Sequence, residues 1–377
     1  MGAICFSKTL FKHKKTAARS YLLDKQLGIE SHERITEDAE ALLLEEAAKS
    51  SYSRGGNAVS ITEDVVSKQT VKDRLHELAF PEEKYSGPRK NVDYLYIDAN
   101  EDHTALQKQN RDMHSTIIKL VYVYEGIAPE FPGSKRRRLV NPHYFSGLYS
   151  GGDNVKLWNK VYKYIESHYN LEGVKKIYLN ANGEAWIKTG VNILSAKYVL
   201  DEFHLRKSVN SIANSVKENG SLLKKQIYTF LKEGKRKELE KLLEMVAEGT
   251  DTSGEESKVL QAMKYLLNNW SAARARVSED DTILPCSAEG HVSYIMSSRM
   301  SSRPMSWSYK GAEAVAKLRA YLLNGGNTLS LVRYQRKKVV VGADEMVLSC
   351  SAMLAEENRQ HKENGKYYDR IQASISN

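Results

Sequence analysis

Two short runs in this sequence end in side chains suited to holding a cation against phosphate oxygens. Ile177, Tyr178 and Leu179 form a β-prone run that breaks at Asn180-Ala-Asn-Gly183, where a parallel strand presents polar side chains at its carboxyl end. A second run, Tyr198-Val-Leu200, ends at Asp201, three residues before His204. Oxygen-bearing side chains at the ends of neighbouring strands are what two-metal phosphoryl transfer requires, because Mg²⁺ takes hard oxygen ligands and must bridge the attacking and leaving oxygens. Where such a site calls for Asp, this sequence has Asn182. A third run, Asn91 to Asp98, reads as a buried strand. If it stays extended, Asp98 and Asn100 share a face, since side chains repeat every second residue.

The elements that must position these residues follow from periodicity and breakers. Ile4 to Phe11 and Tyr21 to Leu23 flank the basic tip Lys12-His-Lys-Lys15 and read as a hairpin within 1–35. Thr36 to Ser50 has helical spacing; after a break at Gly55-Gly56, Ile61 to Leu78 contains a helix capped by Ser67 with Val71, Leu75 and Leu78 buried. Lys68, Gln69, Thr70, Lys72 and Arg74 then face outward. A helix, a glycine turn and a capped second helix over 36–80 fit a helix-turn-helix entering a major groove, and equally an ordinary surface helix with solvated charges. Pro81 to Lys90 is a linker. Strands are expected over Thr116 to Tyr124 and Leu139 to Tyr149, with Lys135-Arg-Arg-Arg138 on the loop between them, either a solvated turn or a phosphate contact. A helix over Val155 to His168 completes the order strand, strand, strand, helix, strand, strand, which predicts an α/β fold with a mixed sheet and helices outside, spanning 91–204 and 281–325. Residues 205–280 read as an all-helical insertion broken at Asn219-Gly220, Gly234 and Gly249 to Gly254. Gly311 to Leu323 is a helix, and 326–377 a basic, polar segment with Arg336-Lys-Lys338 and Val339-Val-Val341.

The chain has 377 residues, 41% of them hydrophobic, enough for a sizeable core and two or three domains. Lys+Arg exceed Asp+Glu by 56 to 47, a net charge of +9 that favours a polyanionic partner. Cys5, Cys286 and Cys350 are scattered thiols without a Cys-x-x-Cys pair, so neither a disulfide framework nor a cysteine zinc site is indicated, and reducing cytoplasm is the expected compartment. No apolar run reaches the roughly 18 residues of a membrane span, and the first residues lack the core of a signal peptide.

Five ordered motifs, Asp98-Ala-Asn-Glu-Asp-His103, Asn180-Ala-Asn-Gly-Glu-Ala-Trp-Ile187, Leu200-Asp-Glu-Phe-His-Leu205, Glu289-Gly-His-Val-Ser293 and Arg299-Met-Ser-Ser-Arg-Pro-Met-Ser-Trp307, together resemble the ISLre-type bacterial insertion-sequence transposases. These are DDE transposases with a ribonuclease H-like core. The resemblance implies a first acid ending strand one, a second ending strand four and a third on a late helix after a helical insertion. By position the third acid is Glu289, while the first and second fall on Asn100 and Asn182. It also implies a Mg²⁺ or Mn²⁺ cofactor held by these three positions, double-stranded element-end DNA as partner, a homo-oligomer and a nucleoid-associated location. Family members carry extra amino-terminal residues, so the resemblance implies a shortened start. Asp201-x-x-His204 is similar to the Asp-x-x-His signature of the related Mutator-like enzymes.

Asn keeps the size and one acceptor of Asp but not its charge, so three anionic ligands fall to one and cation binding is expected to weaken. Asp98 and Asp102 are the nearby acids that could substitute. DNA contacts are expected from Lys68, Gln69, Lys72 and Arg74 and from Lys135, Arg136, Arg137 and Arg138; Arg299 and Arg303 are either phosphate clamps or snorkelling surface residues. Trp186 and Trp307 are expected in the core. Two functions fit: a DDE transposase impaired by its two Asn positions, or a catalytically inactive, domesticated or decaying copy that only binds DNA.

Overall fold

The computed structural model describes residues 6–27, 29, 35–60, 66–82, 85–107, 115–216 and 218–336. They fall into two compact units, one drawn from Met1–Ala47, Ser51–Glu82 and Asn327–Asn377, the other from Ala48–Ser50 and Glu83–Gly326. The portions of the expected elements at 4–5, 61–65 and 337–377 lie outside the described residues.

In the first unit β1 (Leu10–Lys12) and β2 (Arg19–Tyr21) form the expected antiparallel hairpin, Leu10 opposite Tyr21. Four helices follow: α1 (Leu22–Leu27), α2 (Glu37–Lys49), α3 (Tyr52–Ala58) and α4 (Lys68–His76). The turn expected at Gly55-Gly56 is not one, because both glycines are buried inside α3. A Cβ on Gly55 would stand 2.9 Å from the Leu43 carbonyl oxygen of α2, and one on Gly56 would stand 2.1 Å from that of Val66. The missing side chains permit close backbone approach rather than a reversal. Ser67 caps α4 as expected, its Oγ accepting from the Thr70 amide at 3.1 Å, with Val71 and Leu75 buried. Residues 328–336 of the expected polar tail are helical. This helix is fixed by Arg333 to Glu37 at 2.7 Å and by Arg336 to the buried Glu40 at 3.4 Å.

The second unit holds β3 (Tyr94–Ala105), β4 (Ser115–Tyr124), the hairpin β5 (Gly126–Pro129) and β6 (Arg137–Val140), β7 (His143–Leu148), α5 (Asp153–His168), β8 (Lys176–Ala181), α6 (Ala185–Leu194) and β9 (Lys197–Leu200). Five strands make one mixed sheet in the order β7-β4-β3-β8-β9, antiparallel across β7-β4-β3 and parallel across β3-β8-β9. Several boundaries differ from the sequence reading. β3 runs on through Asn100 to Ala105; the stretch Leu139 to Tyr149 is split by Asn141 (φ 48°) into β6 and β7; and Arg137 and Arg138 lie on β6, not on a loop. Nor does β8 break at Asn180, because that side chain is buried and hydrogen bonded within the sheet.

Alternation divides the sheet's two faces. Leu95, Ile97, Ala99, Val121, Val123, Leu179 and Ala181 pack with Leu157, Trp158, Val161 and Ile165 of α5 and Ile187 of α6 in one apolar core. Their neighbours in sequence, Tyr96, Asp98, Asn100, Tyr122, Tyr124, Tyr178 and Asn180, face the other way. There Tyr96 stacks between Tyr124 and Tyr178 at 5.5 and 5.6 Å. The expected helical insertion is α7 (Glu202–Ala213), α8 (Gly220–Glu233), α9 (Arg236–Glu248), α10 (Ser253–Asn268) and α11 (Trp270–Arg276), with its own core of Leu205, Ile227, Leu231, Leu239, Leu243 and Leu266. The late segment is α12 (Ala288–Val292), continued through a π-turn at Ser293–Ser297 into α13 (Ser298–Met300), followed by α14 (Tyr309–Leu323).

On β7, His143 stacks on Tyr164 of α5 at 3.9 Å, and burial pushes its pKa down to about 4. The unfolded chain binds this proton near pH 6.5, so the contribution is complete above that pH and is lost as pH falls towards 4. Urea unfolding at pH 7 and pH 4.5 should show the wild type losing roughly 2 kcal/mol more than His143→Phe, which keeps the stack but does not titrate. Equal losses in the two proteins would assign the pH dependence elsewhere.

Candidate functional site

Asp98 is fully buried in the middle of β3, and both of its oxygens are saturated. Oδ1 accepts from Tyr124 Oη at 3.0 Å and Asn180 Nδ2 at 2.8 Å; Oδ2 accepts from Tyr122 Oη at 2.8 Å, the Ser287 amide at 2.9 Å and Ser287 Oγ at 3.3 Å. Burial and this carboxylate push both phenols far above their ordinary range, so they remain donors. Arg276 closes the cluster from α11, its guanidinium donating to Asn180 Oδ1 at 2.7 Å and to the carbonyls of Leu200 and Leu284 at 2.8 and 2.9 Å. The Ser287 contact anchors the start of α12, and Glu289 lies two residues further on.

One pleat along β3 from Asp98, Asn100 is buried as well. Its Nδ2 donates to Glu289 Oε1 at 2.9 Å, while its Oδ1 accepts from Asn182 Nδ2 at 2.9 Å and from the Glu101 amide at 2.8 Å. Asn182 Oδ1 accepts from the Glu184 amide at 3.2 Å, and the Asn182 carbonyl accepts from Tyr265 of α10 at 2.5 Å. From the end of β9, Asp201 caps α7 by accepting from the Phe203 amide at 3.0 Å and holds His204 Nδ1 at 3.1 Å. His204 Nε2 stands 3.4 Å from Glu289 Oε1. Residues from four parts of the chain thus meet in the continuous series Asn182, Asn100, Glu289, His204, Asp201.

The chain matches the model of the Uncharacterised protein family (UPF0236) over residues 1–338. It belongs to this family. Two UPF0236 proteins of Caldanaerobacter subterraneus subsp. tengcongensis are each 33% identical to it over 345 residues, which is 91% of this chain and 70% and 67% of theirs. The UPF0236 protein in the vanSb 3′ region of Streptococcus gallolyticus is 24% identical over 85% of this chain and 72% of its own. Among solved structures, the Drosophila P element transposase strand transfer complex aligns over 84% of both chains at 10% identity and TM-score 0.26, a value from which no common fold follows.

In this UPF0236 chain Asn100, Asn182 and Glu289 come together, as do Asp201 and His204, but the set does not fit a magnesium pair. A magnesium pair needs carboxylates that hold both ions, whereas here two of the three positions are neutral amides and one amide nitrogen points at the remaining carboxylate. Of the two nearby acids that could substitute, Asp98 is consumed by five donors behind the site, and Asp102 accepts from Ser301 Oγ at 2.5 Å. Of the expected DNA contacts, Lys68 and Gln69 are exposed on α4, although Gln69 donates to Asp73 at 2.8 Å; Lys72 is half-buried, and Arg74 stands 3.9 Å from Glu40. Lys135, Arg136, Arg137 and Arg138 are all exposed at the β5–β6 hairpin, as is Arg303 on the loop before α14. Arg299 is no surface clamp; it is buried over the Trp307 ring at 4.6 Å. Trp186 and Trp307 are buried as expected. The roles of Asn180, Tyr122, Tyr124, Ser287 and Arg276 were not read from the sequence. The i, i+2 pair Tyr122 and Tyr124, placed opposite a strand that carries an internal Asp, is the signal that could have revealed them.

Asp98→Asn should cost about 2–4 kcal/mol of stability, because an amide nitrogen placed on either side meets donors that cannot turn away. On one side the donor is the Ser287 backbone amide; on the other, Asn180 is held by Arg276. Chemical denaturation monitored by circular dichroism checks this. A loss below about 1 kcal/mol would mean the carboxylate is not the anchor described.

Proposed function

We propose that this chain is a DDE-type transposase of an insertion sequence, with a ribonuclease H-like core, that binds element-end DNA and whose metal-dependent cleavage and strand transfer are impaired. The carrying observation is the meeting of Asn100, Asn182 and Glu289, which are separated by up to 189 positions in sequence, at hydrogen-bond distance on the polar side of a β7-β4-β3-β8-β9 sheet. These are the positions that the resemblance assigns to the three acids: on the first strand of the sheet, just past its fourth, and on a late helix beyond a helical insertion. A relative carrying eleven locus names in one Caldanaerobacter genome supports descent from a copying element. The exposed Lys135 to Arg138 hairpin and the net charge of +9 support a DNA partner.

The second reading, a DNA-binding protein without nuclease activity, is favoured by one specific contact. Asn100 Nδ2 donates to Glu289 at 2.9 Å, so a donor stands where an acid would face a cation. Loss of carboxylates leaves phosphate contacts untouched and lessens repulsion of the backbone.

Fluorescence anisotropy on element-end and scrambled duplexes across a salt series tests the reading. Binding that weakens steeply with salt is expected, and neutralising Lys135, Arg136, Arg137 and Arg138 should lower the salt slope by roughly one for each phosphate that these side chains no longer neutralise. Absence of binding at low salt would remove DNA from the account. In plasmid nicking with Mg²⁺ no cleavage is expected from the natural chain. Asn100→Asp with Asn182→Asp should gain Mn²⁺ binding by calorimetry, and more than either change alone, because shared carboxylates act as a unit. Robust Mg²⁺-dependent nicking by the unsubstituted protein would show that catalysis survives.

A further inference from the structure

His204 is placed with unusual definiteness for a residue outside the three acid positions. Carboxylate oxygens only accept, so Asp201 Oδ2 at 3.1 Å requires the proton on Nδ1. In the neutral ring the Nε2 lone pair then faces Glu289 Oε1 at 3.4 Å. A cation between these two atoms, either a proton on Nε2 or a metal ion, removes the opposition of two acceptors. The separation lies just beyond the roughly 2.7–3.2 Å range of a well-formed N–H···O bond. It matches two ligand atoms that share one tetrahedral ion, each about 2.1 Å from it and therefore about 3.4 Å apart. Oxygen of Asp201, nitrogen of His204 and oxygen of Glu289 all lie within 4.8 Å of one another. Asp201 is buried and the Glu289 side chain is 43% exposed, so the cluster has a fixed inner side and a side open to water.

We infer that Asp201, His204 and Glu289 form a site for a single borderline divalent cation of the Zn²⁺ or Co²⁺ type, with His204 Nε2 and Glu289 as ligands and Asp201 orienting the imidazole. The carboxylate-imidazole-metal arrangement fixes the tautomer and raises the basicity of the ligating nitrogen. Imidazole selects against Mg²⁺, which prefers oxygen and keeps its waters. Asn100 Nδ2 also donates to Glu289 Oε1 at 2.9 Å, and Asn182 holds Asn100, so the two amides that spoil a magnesium pair help hold the remaining carboxylate in position. The inference does not depend on DNA binding.

The test is titration of the untagged, metal-free full chain with Co²⁺, followed by visible absorption, and with Zn²⁺ by calorimetry. One ion per chain, unaffected by millimolar Mg²⁺, is expected. His204→Gln and Glu289→Gln should each weaken binding at least about tenfold, and Asp201→Asn about 10–100-fold, the range typical when a group that orients a metal-bound imidazole is removed. Circular dichroism accompanies each variant, because Asp201 also caps α7; His204→Gln changes no cap and keeps the test decisive if Asp201→Asn unfolds. Absence of saturable binding, displacement by Mg²⁺, or binding that survives both His204→Gln and Glu289→Gln would overturn the site. Duplex binding by the same preparations is measured separately, so failure of the DNA reading and failure of the metal site show as different results.

Discussion

A carboxylate in the interior of a sheet is tolerable only if every lone pair is met. Asp98 of β3 meets that condition with two phenols from β4, an amide from β8 and the Ser287 backbone and hydroxyl at the start of α12. Removing an isolated charge from water would cost several kcal/mol, so the network cannot be left half made. Completing it forces α12 onto the polar side of the sheet at one register. Glu289 then projects over Asn100, which is one pleat from Asp98 on the same strand.

The same constraint explains why the sheet has two unlike faces. Towards α5 and α6, aliphatic side chains alternate into a dry core; on the opposite side the even-numbered residues form a tyrosine row with Asp98 and Asn180 set into it. Arg276 carries the network into the helical insertion by binding Asn180 and the carbonyl of Leu200, next to Asp201. The insertion therefore supports the ends of β8 and β9, where the site residues lie. Tyr265 does the same from α10 by donating to the Asn182 carbonyl.

Amide for carboxylate changes what such a cluster can be. With three acids, mutual repulsion would hold the site open until a cation neutralised it. With Asn at 100 and 182, each side chain can donate as well as accept, and the chain Asn182 to Asn100 to Glu289 is self-satisfied. Beyond that chain, Glu289 Oε1 faces the imidazole of His204 at 3.4 Å.

Much of this was legible in the residues. Runs of β-prone residues located the strands of the five-stranded sheet, glycine and asparagine at left-handed positions such as Gly234 and Asn219 marked the helical breaks, and the spacing of Asp98 and Asn100 placed them on one face. Local signals were misleading where long-range partners decided the matter. Gly55 and Gly56 read as a turn because their packing partners Leu43 and Val66 are invisible locally, and Asn180 read as a strand end because Asp98 lies 82 positions away. Arg299 read as a surface cation because nothing nearby in sequence says that Trp307 folds back under it. Sequence by itself determined which elements form and which residue types are available for chemistry, since both depend on side chains within a few positions. Only the tertiary structure decided that buried Asp98 accepts from five donors and that His204 faces Glu289, because burial and the pairing of donors with acceptors are properties of residues brought together across the chain.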